Sequence, residues 1–469
     1  MVLVFAMLAA CRTGNSPSVA KGNPGAAPRA EPRLDPEIFA MLSTVSERRM
    51  IAAVKVLVSC GTRNSCSVQL GPDKGIAAAR DWLQKEFSAV EGVKVFLFPY
   101  QQETCRPPVT SNNVVAVLPG ARADRLIIVG GHYDSLALSG NQETREAERV
   151  DPEANAPGAN DSGSQTALVL EAARAMASHR FDATVVFIAF AGEEQGLTGS
   201  KAFAQGFQKY FPQARIEAVL NSDIVGGDTS VNNGTTQYQF RLFSPGTPRE
   251  LGTSADGSRD NTSPSRGVMR FVGTWARLYV PAMAMLPQLR EDRVRRGGDH
   301  QSFIAEGFPG VRFIEAVENV AHQHTQQDVL ANIDSAYLGR MTQVVISSAA
   351  ALARAPLAPT SMTAATTPEG ALRLGWTVSE PDRIDHFVVA ARAVTENFYR
   401  GRVDVGASSR SYLGKASDLG VPDGPFFVSV AAVDAAGHES LFAYPEYRCT
   451  PGGCTVPAGA MDVTAAIRE

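Results

Sequence analysis

Beyond its first ten residues the chain has no apolar run of about 18 residues, the least expected of a membrane-spanning helix, so no such helix is predicted. It also lacks an excess of either charge. Its 44 lysines and arginines face 48 aspartates and glutamates, a formal net of −4, which leaves no basic footprint for a nucleic acid. Cysteine is sparse, at six in 469 residues. The five that follow Cys11 are Cys60, Cys66, Cys105, Cys449 and Cys454, too widely split to make a zinc–thiolate site. No internal repeat divides the chain, and its length suits two or three domains.

What the N-terminus does have is a short apolar run, Met1 to Ala10, ending Leu8-Ala9-Ala10-Cys11. This resembles the h-region and lipobox of a bacterial lipoprotein signal, which would place a lipid on Cys11. A plain cleaved signal peptide is the competing reading, and the usual positive n-region is missing. Either reading exports the protein, as a periplasmic or outer-membrane lipoprotein or as a secreted bacterial protein. Membrane contact would then come only through the lipid. In an exported chain short-range cysteine pairs suggest disulfides. Cys449 with Cys454 is the first expected pair and Cys60 with Cys66 the second, which leaves Cys105 odd.

Residues 12–35 are rich in proline, glycine, alanine and serine and read as a flexible tether. Helical periodicity runs from Pro36 to Val58. An amphipathic helix follows over Asp73 to Val90, with Ile76, Ala79, Trp82, Leu83 and Phe87 on one face. Strands are predicted at 93–98, 113–118 and 125–130. A polar, acidic segment, 139–157, precedes a helix that opens at Asn160-Asp161 and runs to about Ser178. Val185 to Phe190 is unbroken apolar sequence, which suits a strand buried on both faces. A helix start at 196–203 and a strand at 218–220 come next. Residues 226–265 read as an insertion containing a hairpin. A helix at 264–279, a basic loop at 293–298, a strand at 311–314 and a closing helix at 335–355 complete the series. Strands alternating with helices predict an α/β fold, a mostly parallel mixed sheet flanked by helices in three layers.

After the linker Ala355-Pro356-Leu357-Ala358-Pro359 the helical signal stops. Short alternating strands at 372–377, 385–391, 399–405 and 426–433, with a turn at 434–440, predict an all-β sandwich. The expected division is a signal at 1–11, a tether at 12–35, an α/β unit at 36–355, a β unit at 356–449 and a tail at 450–469.

Polar residues collect where the strands run out. Gly192 ends the central strand, and Glu193 and Glu194 follow. In open α/β sheets that carboxyl edge is where ligands bind. Adjacent carboxylates alone read as a solvated loop tip, unless something cationic holds them. Other strand ends supply a reason: His132 after 125–130, Asp161 at a helix start, Asp223 after 218–220 and His324 in the loop after 311–314. Two imidazoles and three carboxylates are ligands for catalytic zinc, enough for two ions sharing one bridging carboxylate. Glu193, next to a ligand and not needed as one, can take a proton from water. Asp134 can accept the other ring N–H of His132. His322 competes with His324 for the ligand role. His179, His386 and His438 read as surface or satisfied histidines, and Tyr133 as core or support.

The segments Gly130-Gly131-His132-Tyr133-Asp134-Ser135, Gly158 to Gly163, Ala191-Gly192-Glu193-Glu194-Gln195-Gly196, Asn221-Ser222-Asp223 and His324-Thr325-Gln326-Gln327-Asp328 closely resemble, in order, the motifs of the M28 co-catalytic zinc peptidases. The resemblance covers about residues 36–355, and Gly61-Thr62-Arg63 is similar to the family's start. It implies that His132 and Asp223 hold one zinc, Glu194 and His324 the other, that Asp161 bridges, and that Glu193 is the general base. His324 is preferred over His322 because it heads the His-Thr-x-x-Asp pattern. Asp299 and His300, in Asp299-His300-Gln301-Ser302-Phe303, resemble a site-lining motif. The stretch after the linker resembles a fibronectin type III domain, with Trp376 at that family's early core tryptophan and Phe427 near its usual tyrosine.

The resemblance implies a secreted or lipid-anchored exopeptidase that removes N-terminal residues from peptides through a hydroxide held between two zinc ions. Manganese or cobalt would suit the same donors. A glutaminyl cyclase or carboxypeptidase of the same fold is one alternative. An inactive binding protein whose β-sandwich docks a cell-surface or matrix ligand is another.

Overall fold

The computed structural model describes residues 32–67, 70–139, 149–245, 262–292, 296–421 and 424–457. The signal at 1–11, most of the tether, residues 140–148 of the acidic segment, residues 246–261 of the insertion, residues 293–295 of the basic loop and the tail from 458 lie outside the described residues.

Among the described residues eight strands form one mixed sheet. Its first three are β1 (Lys94–Gln102), β2 (Val109–Leu118) and β3 (Arg122–His132). A small separate pair follows, β4 (Leu138–Ser139) and β5 (Arg149–Val150). The sheet resumes with β6 (Ala183–Phe190), β7 (Arg215–Ser222), β8 (Gln239–Phe243), β9 (Ala284–Gln288) and β10 (Gly310–Glu315). The spatial order is β1-β2-β6-β3-β7-β10-β8-β9. Its centre, β6-β3-β7-β10, is parallel throughout.

The apolar run at 185–190 is explained by what lies on each side. Val185, Phe187 and Ala189 join a core shared with α4 (Gln165–Met176), α6 (Pro264–Tyr279) and α8 (Ser335–Arg354). Val186, Ile188 and Phe190 point the other way, into a core containing Phe203 of α5 (Thr198–Gly206) and Phe303 of α7 (His300–Ala305). Every residue of β6 is buried. At about 1.5–3 kcal/mol per large side chain buried, this strand fixes the middle of three layers, as expected.

Two local readings change. The helical stretch from Pro36 is two helices, α1 (Pro36–Ser43) and α2 (Glu47–Ser59). Ser46 turns extended between them, and its hydroxyl accepts from Arg49 N, capping the second. The third N-terminal helix, α3 (Gly75–Ser88), falls within the predicted range. The insertion holds no hairpin among its described residues: β8 pairs antiparallel with β10 and parallel with β9, which lies beyond α6. Such long-range pairing leaves no local pattern, and Pro287 in β9 is tolerated because that strand is the sheet's edge.

The cysteine expectation is half right. Cys449 pairs with Cys454, but Cys66 pairs with Cys105 and not with Cys60. Cys60 is a buried free thiol that ends α2 and turns back on its own helix, 3.6 Å from Val56 O. The loop beyond it carries Cys66 away to the turn between β1 and β2, where Cys105 lies.

Beyond Pro359 the chain forms two antiparallel sheets. Their strands are β11 (Thr360–Thr366), β12 (Leu372–Thr377), β13 (Ile384–Ala393), β14 (Gly401–Gly406), β15 (Ser411–Gly414), β16 (Phe426–Asp434), β17 (Tyr447–Thr450) and β18 (Gly453–Thr455). One sheet is β11-β12-β15, the other β14-β13-β16-β17-β18. Between them Trp376 packs 5.3 Å from Phe387, with Leu374, Val389, Val428 and Val430.

This unit meets the α/β unit through buried charge. Glu446 faces Arg270 of α6 at 3.1 Å, accepts from Arg392 at 3.1 and 2.8 Å, and accepts from Tyr399 Oη at 2.7 Å. Beside it, α6 has no side chain at Gly273; a Cβ there would stand 2.5 Å from the Phe398 ring.

A second junction is titratable. His438 Nε2 lies 3.1 Å from Asp35 and its Nδ1 2.9 Å from Asp434, while Arg354 also reaches Asp35 at 2.8 Å. Burial works against the imidazolium, but the two carboxylates outweigh it and raise the His438 pKa. A raised histidine stabilises the fold fully below about pH 6.5 and loses that contribution as pH rises through the folded-state value. His438→Gln is therefore expected to lower Tm near pH 6 and to differ less from wild type near pH 9. A gap independent of pH would show that the histidine is neutral there.

Candidate metal centre

The register of the parallel strands sets the site. His132, the last residue of β3, stands opposite Phe190, the last of β6, and Gly130 stands opposite Asn221 of β7. Three strands thus end level, and the polar residues that follow share one edge. Glu193 and Glu194 come just past β6, and Asp223 just past β7. The tight exit from β6 requires glycine: Gly192 has φ 73°, and a Cβ there would lie 2.1 Å from Thr198 Oγ1. Asp161 sits in the turn Ala159–Ser164 that leads into α4, with its own backbone out of the helical range at φ −109° and ψ 86°. His324, in the loop after β10, takes a left-handed backbone with φ 56°, a strained choice for a non-glycine residue.

Asp161 stands between the two histidines. Its Oδ1 is 3.2 Å from His132 Nε2, and its Oδ2 is 3.3 Å from His324 Nε2. Asp223 Oδ1 is 3.4 Å from His132 Nε2, and Glu194 Oε2 is 3.0 Å from His324 Nε2. Donors about 2.0–2.2 Å from a tetrahedral ion stand about 3.3–3.6 Å apart, so these separations, from 3.0 to 3.4 Å, come close to those of two such shells joined at one carboxylate. Asp161 Oδ1 and Glu194 Oε1 are sealed from solvent and accept no hydrogen bond. Asp161 Oδ1, 3.2 Å from His132 Nε2 without a hydrogen bond to it, fits a cation that both donors would share. Glu193 is the remaining close group, with its carboxylate near His132 and Glu194.

Charge follows the packing. Burial pushes the Glu193 and Glu194 carboxyls up; a neighbouring imidazolium pulls each back, and nearby carboxylates add to the rise. For Asp161 burial works upward too, but His132 and His324 outweigh it and hold the carboxyl low. Burial opposes charge on His132 and His324, yet the surrounding carboxylates raise both.

Asp299 and His300 lie outside these clusters, fully buried behind them. Burial pushes Asp299 up to about 7; burial, then Arg312, pushes His300 down to about 3. Both Asp299 oxygens and His300 Nδ1 lack hydrogen-bond partners. His322 points elsewhere, with Nδ1 2.5 Å from Asp228. His179 and His386 are partly exposed, beside Glu37 and Asp385. Tyr133 is buried and donates to Asn112 O.

Asp134 does more than expected. Its carboxylate accepts from Glu193 N at 3.2 Å and Glu194 N at 3.1 Å, so it orients the glutamate pair. Toward the His132 ring it offers its backbone carbonyl at 3.2 Å and its carboxylate at 3.4 Å. Three supports escape a reading of the sequence. Asp328 accepts from Asn160 N at 2.8 Å and Asp161 N at 2.9 Å, fixing the turn that carries Asp161. Arg312 places Nε 2.9 Å from Asp223 Oδ2, opposite the oxygen that faces His132. Arg63, fully buried, donates to Tyr133 O, Pro157 O and Gly158 O at 2.7, 2.7 and 2.8 Å, tying together the loops beside His132 and Asp161. Two of the three left a visible signal: Asp328 as the final aspartate of the His-Thr-x-x-Asp motif, and Arg63 within Gly61-Thr62-Arg63. Arg312 is a lone arginine within an apolar strand and left none.

Comparison with known proteins adds independent findings. The family model for peptidase family M28 matches residues 113–349. A protein of Leptosphaeria maculans named "Probable zinc metalloprotease" is 33% identical over 438 residues, covering 88% of this chain and 98% of its own. A protein of the same name from Pyrenophora tritici-repentis is 32% identical and covers 79% and 89%. These relatives are fungal and lend no support to a bacterial source. Among solved structures, LapA aminopeptidase of Legionella pneumophila is 20% identical with TM-score 0.50, covering 68% of this chain and 75% of that one. LapB of the same organism is 20% identical with TM-score 0.51, covering 69% and 76%. At that identity they establish the fold of the α/β unit.

Proposed function

This chain belongs to peptidase family M28, and we propose that it is a two-zinc aminopeptidase that releases N-terminal residues from peptides. The observation that carries this is Asp161, whose two oxygens face two different imidazoles at 3.2 and 3.3 Å. His132 and Asp223 would hold one ion, Glu194 and His324 the other, and Asp161 both. The printed names of the fungal relatives support zinc; a donor set without thiolate leaves manganese or cobalt usable. When bound, paired ions polarise a carbonyl and lower the pKa of a water between them. Glu193 takes the proton of the attacking water and returns it to the leaving amine. Asp134 holds Glu193 and Glu194 in line through their backbone N–H groups. Preference for a free α-amine rests on the motif resemblance.

We further propose that the C-terminal unit is a fibronectin type III-like accessory, a reading that rests on its own sequence resemblance and is supported by its three-stranded sheet facing a larger one around Trp376. Export is supported by the two disulfides. Among the described residues no helix is long and apolar enough to cross a membrane.

The test is twofold. Equilibrium dialysis of metal-free protein is expected to give two zinc ions per chain. Peptides with a free N-terminus are expected to lose single residues from that end, and their N-acetylated forms to resist. One ion per chain, or equal cleavage of acetylated peptides, would overturn the reading. Asp328→Ala, which frees the turn bearing Asp161, is expected to weaken zinc binding about 10–100-fold, as measured against a chromogenic chelator.

A further inference from the structure

The segment leading into α7 carries a cation that the proposed chemistry does not use. Gly298 packs directly on the strand ends: a Cβ there would sit 3.1 Å from Arg312 Cδ and 3.3 Å from Asn221 Nδ2. Arg296, two residues earlier, therefore lies beside the end of β7, where Asp223 follows. Its side chain is 15% exposed. Its Nη2 donates to Glu318 Oε1, while its Nε is sealed from solvent and meets no acceptor. Glu318 cannot serve it further. Arg241 donates to Glu318 Oε2 at 2.6 Å, and Gln323, next to His324, donates to Oε1 at 3.1 Å.

Among the described residues the surrounding charges are uneven. Arg241, Arg296 and Arg312 face Glu318 and Asp292 once Asp223 is assigned to the metal donors. Glu315 does not redress this, because burial pushes its carboxyl up to about 8 and its oxygens already accept from Asn160, Gly227 and Asp228. Burial works against the Arg296 charge, but Glu318, then Asp161, Asp223 and Glu194, outweigh it and keep the guanidinium ionised. A buried guanidinium with an unmet N–H, at the rim of a reacting centre, is suited to a carboxylate.

We propose that Arg296 receives a carboxylate of the substrate, so that the site favours peptides presenting one close to the scissile bond. The carboxylate has two sources, an acidic side chain on the residue released or the C-terminus of a dipeptide. The kinetic arm of this inference rests on the aminopeptidase reading; the binding arm does not.

Wild type, Arg296→Gln and Arg296→Lys are compared on glutamyl and leucyl anilides, and on Leu-Ala and its C-terminal amide. A buried charged hydrogen bond sets the expected size: in Arg296→Gln one acid-to-neutral ratio of kcat/KM falls roughly 10–100-fold, with partial recovery in Arg296→Lys. A fall in the glutamyl ratio assigns the side chain; a fall in the dipeptide ratio assigns the C-terminus. Calorimetry on zinc-loaded Glu193→Gln protein, with L-glutamate against L-glutamine and Leu-Ala against its amide, reads the same preference without turnover. It is expected to disappear when Arg296→Gln is added. Ratios and binding preferences unchanged by Arg296→Gln would overturn the inference and leave Arg296 an anchor for Glu318. Failure to cleave any free-amine substrate would instead overturn the aminopeptidase reading, and calorimetry alone would then decide Arg296.

Discussion

Replacing Glu193 with glutamine is expected to leave a protein that still holds its metal and has lost about 10²–10⁴-fold in kcat, the usual contribution of a positioned general base. The substitution keeps shape and length and removes only the capacity to take a proton. Metal retention is the informative half. Glu193 lies close enough to His132 and Glu194 to be a ligand itself, and a ligand lost would show as reduced zinc content. Full zinc with near-wild-type kcat would mean that another group takes the proton. The environment favours Glu193: burial raises its carboxyl, and Glu194, Asp223 and Asp299 add to the rise against the pull of His132. A carboxylate raised toward neutrality is matched to proton transfer.

Glu446→Ala is expected to cost about 3–5 kcal/mol, because it breaks a buried ion cluster by removing the partner that its cations share. Arg270 and Arg392 would keep their charges inside the junction without that carboxylate. Burial opposes ionisation of Glu446, yet the two arginines hold its carboxyl down at about 2, so the contribution is present above the ordinary glutamate range and fades only as pH falls toward 2. Denaturant unfolding measures the loss. Converting the cluster as a whole, with Arg270→Met, Arg392→Met and Glu446→Leu together, is expected to be far milder than the single change. A single-variant loss below about 1 kcal/mol would show the junction to be wet.

Much of this was legible because the α/β unit contrasts so sharply with its own loops. Apolar runs mark the strands, and each polar residue just past a run marks the shared edge; His132, Glu194 and Asp223 were found that way. Asp161 was marked by a helix start instead, and only the preference for His324 over His322 needed a motif. What stayed hidden depends on distance through space. Cys105 reaches Cys66 across a strand connection that cysteine spacing does not encode. Strand β8 finds its partners on both sides of a helix. Arg312 and Arg63 act on groups far away in the chain, and although Arg63 lies in a recognisable segment its role there does not show in a sequence. Ser46 caps a second helix, but the helical periodicity on either side masked the break.

The groups around Asp161 are drawn from the last residue of β3 to the loop beyond β10, well over half of the α/β unit. A ribosome-bound chain that stops before His324 lacks the second imidazole facing Asp161, and the sheet that levels the strand ends is incomplete until β10 is made. The complete cluster is thus withheld from any product that stops short of residue 324 and forms only once β10 and the loop after it are in place.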